Sequence, residues 1–560
     1  MLPPLAMTRC VAFLALMACG GSSAAHDAGA IDAIDAAPAD VSPDLRVAPV
    51  ADWVLGIAPD GPAAGRLSPA LLGHYDLSGS LLGYGANAAL VERMTAIGFA
   101  EWRVGLGRWE FVTRLLPTLA DGRDTSCAAT LAQFPAPVRA PAGSTDASLV
   151  ADRDWFSDTG QPVSLADTDD DRRYRLDYVR GVIDTATAFG AAAYVDIDHM
   201  PRGLAASRNF VRGGAVLAGV TDPCLTTWTN HVSNTRPADP AVFAAAVVGA
   251  VRRVVEGTPG AAPRDARYWE IWNEPELGYA WDPSLEQPPG TLNAYFATAL
   301  TTLTRLADYR ARSTNPRVAA LRFGLGSFAL ASTAATTLAT LDANPLPDGS
   351  FAPIDFVSFH AYANDPLAIV ASIQQMIDAR AASTHYRAIE LSLAEWGPDL
   401  TASPPPTTME LPLMVATVLA RGATLGLEHA HHSLFYAFVP GLPYAVVAAD
   451  GAPLPTYHAY ALLHALIGNG ADRLAIDGAS DGALDGGTGA VVASRDGAGQ
   501  IRVFVVNRGD AARTARIDLG AATTTPRRVE IYDDPAGAPR VLAPSAVITL
   551  PARSLALITL

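Results

Sequence analysis

Cysteine is nearly missing from this chain: there are four in 560 residues, and two of them, Cys10 and Cys19, fall in or beside one apolar run near the N-terminus. The other two, Cys127 and Cys224, belong to no Cys-x-x-Cys spacing and no Cys/His cluster. That excludes a disulfide-stapled scaffold and a cysteine-ligated zinc site. In an oxidising compartment Cys127 and Cys224 are expected to form one disulfide between long loops. Positive charge is also in deficit, with 40 Lys and Arg against 56 Asp and Glu and a formal net charge of −16. Nucleic-acid backbones need clustered cations to release their counterions, so a nucleic-acid partner is excluded and a neutral or non-anionic one fits. Beyond the N-terminal segment no apolar run approaches the roughly 20 residues that span a bilayer. A glycine-rich turn after the first strand-like run is lacking, and with it the mark of a doubly wound dinucleotide-binding sheet. There is no internal repeat of solenoid period.

What is present can build a large core, since half the residues are hydrophobic and 17% are charged. The length exceeds one ordinary domain and fits a barrel with long loops plus one accessory domain. Residues 1–19 read as a signal peptide: Arg9 supplies the basic region, an apolar run covers 11–17, and Leu16-Met17-Ala18-Cys19 resembles the lipobox of bacterial lipoproteins. Cys19 would then carry lipid and anchor the chain to a membrane of the bacterial envelope, facing periplasm or exterior. An ordinary cleaved signal, releasing a secreted protein, is the alternative. Residues 20–48 are almost entirely Gly, Ser, Ala, Asp and Pro, too poor in large apolar groups to offset chain entropy, and are expected to be a disordered linker.

From 68 to 467 strand-like runs alternate with amphipathic helical patterns. Strands are expected at 71–77, 99–106, 192–198, 268–273, 321–326, 354–360, 389–394 and within 427–438. The helices between them carry start signals such as Asp239-Pro240 and Asp365-Pro366, a cap followed by proline at the first helical position. Parallel strands require helical crossovers, so this order predicts a (β/α)8 barrel. After 468 the pattern becomes short strands separated by turn signals, at 490–494, 501–507, 514–519, 528–532, 547–550 and 555–560, which predicts an appended β-sandwich. The segment 49–67, with a strand at 53–57, is expected to add to that sandwich from the far side of the barrel.

Reactive groups of such a barrel gather at the C-terminal ends of the strands. Glu274 closes the run Tyr268-Trp269-Glu270-Ile271-Trp272-Asn273-Glu274-Pro275, and Glu395 sits in Leu391-Ser392-Leu393-Ala394-Glu395-Trp396-Gly397. A carboxylate ending an apolar strand is costly in a core and belongs in a cleft. Two of them meet the needs of glycoside hydrolysis, one as acid and one as nucleophile or base.

These runs resemble the retaining glycoside hydrolases of clan A. Tyr194-Val195-Asp196-Ile197-Asp198-His199-Met200-Pro201 and Ile354-Asp355-Phe356-Val357-Ser358-Phe359-His360-Ala361-Tyr362 narrow the resemblance to glycoside hydrolase family 39, which includes β-xylosidases and α-L-iduronidases. The resemblance covers about residues 50–560. It implies a barrel with an appended β-sandwich, a carbohydrate substrate, no metal or other cofactor, Glu274 as acid/base after Asn273, and Glu395 as nucleophile. It implies that Asn273 donates to the sugar 2-hydroxyl. Other clan A activities, an arabinofuranosidase or an endo-acting glucanase or mannanase, and a surface glycan-binding barrel without turnover are the competing readings.

The supporting residues keep two readings each. His360 and Tyr362 either hold the nucleophile and contact sugar or form a satisfied core pair. His199 contacts sugar or supports a loop. Arg103 pairs with a catalytic carboxylate or makes a surface ion pair. Trp396, with Trp272 and Tyr436, stacks on a sugar face or simply packs. Strand eight departs from the clan, which commonly has a Trp there; this chain has Glu428, His429, His431 and His432 instead. Such a cluster has the composition of a metal site, but strand alternation sends its side chains to opposite faces.

Overall fold

The computed structural model describes residues 51–76, 88–104, 110–111, 163–197, 200–201, 204, 236–277, 281, 286, 291–399, 408–433, 446–448, 451–468, 470–479, 481–520 and 522–560. Cys10, Cys19, Cys127, His199, Cys224 and Tyr436, the signal segment, the linker and most of the insertions at 112–170 and 202–238 lie outside them. Eight parallel strands close into a barrel in chain order. They are β1 (Gly73–Asp76), β2 (Glu101–Val104), β3 (Ala192–Ile197), β4 (Ala266–Ile271), β5 (Arg322–Phe328), β6 (Phe356–Tyr362), β7 (Glu390–Gly397) and β8 (His429–Ser433). β8 returns to β1, with His431 opposite Gly73. A helix follows each strand: α1 (Ala88–Ala96), α2 (Asp177–Ala188), α3 (Pro240–Val255), α4 (Asn293–Arg312), α5 (Ala331–Ala343), α6 (Pro366–Ala382), α7 (Glu410–Leu425) and α8 (Pro455–Ile467). This is a (β/α)8 barrel. No helix among the described residues is long and apolar enough to cross a membrane.

The start signals act as the chemistry requires. Asp239 accepts from the N–H groups of Ala241 and Val242, and Asp365 from that of Leu367, each with Pro at the first helical position where no N–H is missed. Two elements begin or end elsewhere than the pattern suggests. Leu71 and Leu72 belong to a 3-10 turn, Pro69–Leu72, so β1 starts only at Gly73. β4 stops at Ile271, and Trp272, Asn273 and Glu274 run on past its ladder.

The barrel interior is unusually polar. Glu101, Arg103, Asp196, Glu270, Ser358, Ser392, His429 and His431 are all buried, around a small aromatic cluster of Tyr194, Tyr268 and Phe356. Gly324 on β5 makes that cluster possible, because a Cβ there would collide with the Phe356 ring. The chain has no lysine, so the cation of every such buried network is an arginine or a histidine.

Two further sheets form the second domain. One contains Gly489–Arg495, Ile501–Asn507, Ser554–Thr559 and Arg528–Tyr532 as its central run. In the other, Trp53–Ile57 pairs parallel with Arg513–Leu519 and antiparallel with Ile476–Asp477. Val491, Val503, Val505, Ile517, Val529, Ile531 and Ile558 fill the space between the sheets, together with Trp53, Leu55 and Ile57. The opposite face of the larger sheet presents Val492, Phe504, Val506 and Leu557 to the core shared with α7 and α8, so the β-sandwich is welded onto the barrel.

Candidate active site

Arg103 organises the C-terminal mouth of the barrel. Its guanidinium is fully buried and donates to five acceptors: Glu270 Oε1 (2.5 Å), Glu395 Oε1 (2.8 Å), Asp196 Oδ2 (3.0 Å), Asn273 Oδ1 (3.0 Å) and Ser327 Oγ (2.7 Å). Burial opposes its charge, but the carboxylates of Glu270, Asp196 and Glu395 more than offset that and hold it firmly protonated. Arg103 therefore pairs with a carboxylate inside the barrel and is no surface residue. Because arginine only donates, Asn273 must turn its oxygen toward it, which leaves the amide nitrogen of Asn273 as a donor.

Glu395 Oε2 accepts from the Tyr362 hydroxyl at 2.9 Å, and that hydroxyl also lies 2.5 Å from Ser433 Oγ at the end of β8. Tyr362 is 40% exposed and forms part of the open wall of the mouth. Glu274 faces Glu395. Its Oε1 is 2.8 Å from His360 Nδ1, and burial pushes its carboxyl up to about 7, with Arg103 acting weakly in the opposite direction. His360 is fully enclosed, and burial pushes it down to about 4, which leaves it neutral. Glu274, His360 and Glu395 each offer an atom within 4.8 Å of the other two. A cation could use that spacing, but both His360 nitrogens are already engaged, by Glu274 and by Ser327 Oγ at 2.6 Å.

The backbone under Glu274 is bent rather than extended. Trp272 (φ 78°), Glu274 (φ 47°) and Ser327 (φ 61°) all occupy the left-handed region without being glycine, a conformation that persists only where surroundings enforce it. Here the Glu274 N–H donates to the Ser327 carbonyl at 2.8 Å and the Trp272 N–H to the Ile197 carbonyl at 3.1 Å. Two residues further on, Glu276 is raised to about 7, chiefly by burial; its Oε1 accepts from the Leu330 N–H.

Of the residues named from sequence, the mouth gathers Arg103, Asn273, Glu274, His360, Tyr362 and Glu395. Trp396 is not among them, which corrects the expectation that it contacts substrate. It is fully buried against His432, ring centroids 4.8 Å apart, and His432 in turn lies beside Tyr460 of α8. Since Glu395 points into the barrel, its neighbour must point out. Trp272 is likewise buried, edge-on to Trp281 at 5.1 Å.

Strand eight divides as alternation dictates. Glu428 lies outside the barrel and accepts from Arg380 and from the Leu391 N–H. His429 and His431 point inward and share Glu101 Oε2 at 2.8 and 2.9 Å, and His429 Nε2 meets Glu390 Oε2 at 3.0 Å. Burial disfavours a charged His429, yet Glu101 and Glu390 outweigh it and raise the imidazole to about 10; Glu101 is held down to about 2 against the same burial. The cluster is an internal ion bridge beneath the mouth. Glu270, Asp196, Ser327 and Ser433 were not singled out from sequence. Glu270 was within reach, four residues before Glu274 and on the same side of its strand as Tyr268.

No protein-family model matches the sequence, and no curated protein matches it significantly. Among solved structures the chain is similar to a GH39 enzyme from Xanthomonas axonopodis pv. citri, at 17% identity and a TM-score of 0.56 over 91% of this chain and 97% of that one. It is also similar to a GH39 β-xylosidase from Caulobacter crescentus, at 18% identity, a TM-score of 0.54 and 90% and 99% coverage. A GH30 xylanase C catalytic domain from Talaromyces cellulolyticus matches at 14% identity and a TM-score of 0.54, over 90% of this chain and 99% of that one. These likenesses concern the fold.

Proposed function

We propose that the chain is a retaining glycosidase of O-glycosidic bonds, akin to glycoside hydrolase family 39 and β-xylosidase-like in its substrate. One observation carries the reading: Glu274 and Glu395 face each other with oxygens within 4.8 Å, the first kept protonated near neutrality by burial and the second held by Arg103 and Tyr362. Retaining enzymes hold their two carboxyl groups about 5–5.5 Å apart, inverting ones about 6.5–9.5 Å. In the first step Glu274 protonates the leaving oxygen while Glu395 attacks the anomeric carbon. In the second, Glu274, now a carboxylate, takes a proton from water as it displaces Glu395. Asn273 would donate its free amide to the sugar 2-hydroxyl, and Tyr362 and, on sequence grounds, His199 would line the sugar site. The chemistry needs no metal.

A second reading keeps the mechanism and changes the substrate. The GH30 xylanase domain fits this fold as well as the GH39 β-xylosidase does, so the architecture leaves room for a xylanase-like enzyme, and an endo-acting glycosidase is the alternative. On sequence grounds we also propose lipidation at Cys19, an envelope location, and a Cys127–Cys224 disulfide. A panel of aryl glycosides and plant or bacterial polysaccharides, with NMR detection of the first-formed anomer, tests the reading. We expect cleavage with retention; inversion would overturn the mechanism, and tight binding without cleavage would replace the enzyme with a glycan-binding protein.

A further inference from the structure

Ser327 on β5 is the point where the surroundings of the two carboxylates join. Its N–H donates to Ser358 Oγ at 2.8 Å, and Ser358 Oγ donates to Glu270 Oε2 at 2.5 Å. Its carbonyl receives the Glu274 N–H at 2.8 Å. Its Oγ lies 2.7 Å from Arg103 Nη2 and 2.6 Å from His360 Nε2. It is fully buried and holds a left-handed φ of 61°. A serine kept in that conformation, with every polar atom committed, calls for a reason beyond packing.

Hydrogen accounting supplies one. Arg103 has no acceptor, so it donates to Ser327 Oγ. The hydroxyl's own hydrogen then has one partner within reach among the described residues, His360 Nε2. A neutral imidazole that accepts at Nε2 carries its hydrogen on Nδ1 and donates it to Glu274 Oε1 at 2.8 Å. The opposite tautomer would leave a buried hydroxyl hydrogen without an acceptor and would take the Glu274 proton into the bond with His360.

We propose that Ser327 is a positioning residue that fixes the Nδ1–H tautomer of His360, so that Glu274 holds its catalytic proton on Oε2, the oxygen left for substrate. The chain runs one way, from Arg103 to Ser327 to His360 to Glu274. The catalytic half of the proposal rests on the glycosidase reading; the tautomer does not. When Oε2 passes its proton to the leaving oxygen, the anomeric C–O bond breaks and the bond to Glu395 forms. His360 keeps its Nδ1 hydrogen throughout, and its bond to Oε1 strengthens as Glu274 gains charge. Among the described residues the ionisable groups around Glu274 are Arg103 from β2, His360 and Tyr362 from β6, Glu395 from β7, and Glu276 on its own loop. β5 contributes only the Ser327 hydroxyl, so removing it changes no charge.

Two measurements on the full chain test this. Nitrogen-15 spectra of histidine-labelled protein, with His360→Gln to assign the signal, are expected to show Nδ1 protonated and Nε2 bare in the wild type, and loss of that pure state in Ser327→Gly. Glycine suits the left-handed backbone, so this variant keeps the fold; Ser327→Ala serves as its partner with Cβ retained. A wild-type signal with Nε2 protonated overturns the proposal whatever the activity. In kinetics, kcat/KM of both variants on a glycoside with a poor leaving group is expected to fall about 10- to 100-fold. Its alkaline limb should move up by roughly half a unit or more, because Glu274 loses a donor to its charged form. A dinitrophenyl glycoside, which needs no acid to depart, should lose less than about threefold in kcat/KM. Equal losses on both substrates with an unmoved pH profile would reduce Ser327 to a scaffold residue. A wild type that cleaves no glycoside sinks the glycosidase reading, while the tautomer is still decided by the spectra.

Discussion

Replacing Arg103 is the most severe test of how the mouth is built. Its guanidinium serves five acceptors, three of them carboxylates, with no exposure to water. Arg103→Lys keeps the charge but offers three hydrogens, so at least two of the five acceptors go unpaired. At about 1.5–3 kcal/mol for each hydrogen bond to a charged group, the expected loss is roughly 3–6 kcal/mol, a large part of an ordinary domain's 5–15 kcal/mol. Arg103→Met is worse, since Asp196, Glu270 and Glu395 then share a dry space without a countercharge. Urea unfolding at pH 7 checks this: the methionine variant should be less stable than the lysine variant and should lose turnover. A methionine variant within about 1 kcal/mol of wild type at pH 7 would refute the account of the network.

Other expectations can be checked alongside it. Glu395→Ala should abolish turnover on an activated glycoside, measured by release of the aryl group. The kcat/KM of the wild type should decline as pH rises through about 7, where Glu274 loses its proton; a profile flat to pH 9 would remove Glu274 as the acid. His429, raised to about 10 in the fold from an unfolded value near 6.5, stabilises fully below pH 6.5, and that contribution fades as pH climbs toward 10. His429→Gln should therefore narrow its stability gap to wild type in alkaline melts, having cost about 3–5 kcal/mol near pH 6 by leaving the buried Glu101 with no charged partner, only the His431 imidazole. Trp396→Phe should lower the melting temperature and leave KM unchanged, because the ring faces His432 and the helices.

Much of this architecture was legible because local and global signals coincide. Asp239-Pro240 and Asp365-Pro366 mark helix starts by capping chemistry alone, and both carboxylates stand out as charges ending apolar runs. Two helices left weaker marks. α7 is buried on nearly every side, from Leu411 through Ala420, because it lies between the barrel and the larger sheet; a helix wet on no face carries no amphipathic stripe. α5 is short of charge and rich in Ala and Thr. Trp396 misled for a different reason: residue type suggested a sugar platform, whereas counting one position from Glu395 sends it outward. Ser327 had no signal at all, since its role comes from a backbone conformation that a serine does not advertise.

The strand Trp53–Ile57 has a consequence for how the protein is made. Asp52 meets Thr514 across 462 residues of chain, so an early strand waits for a partner made long after it. At roughly 5–20 residues per second that interval is about 20–90 s, for most of which Trp53, Leu55 and Ile57 have no sheet to enter, since their other partner, Ile476–Asp477, is itself made late. The barrel can close meanwhile, and Gly489–Arg495 can pair with Ile501–Asn507, but the sheet that holds Trp53–Ile57 cannot be completed. A nascent chain arrested before residue 513 should therefore carry a finished barrel with a sticky leading strand, and be recognised by chaperones and proteases at its oldest end rather than its newest.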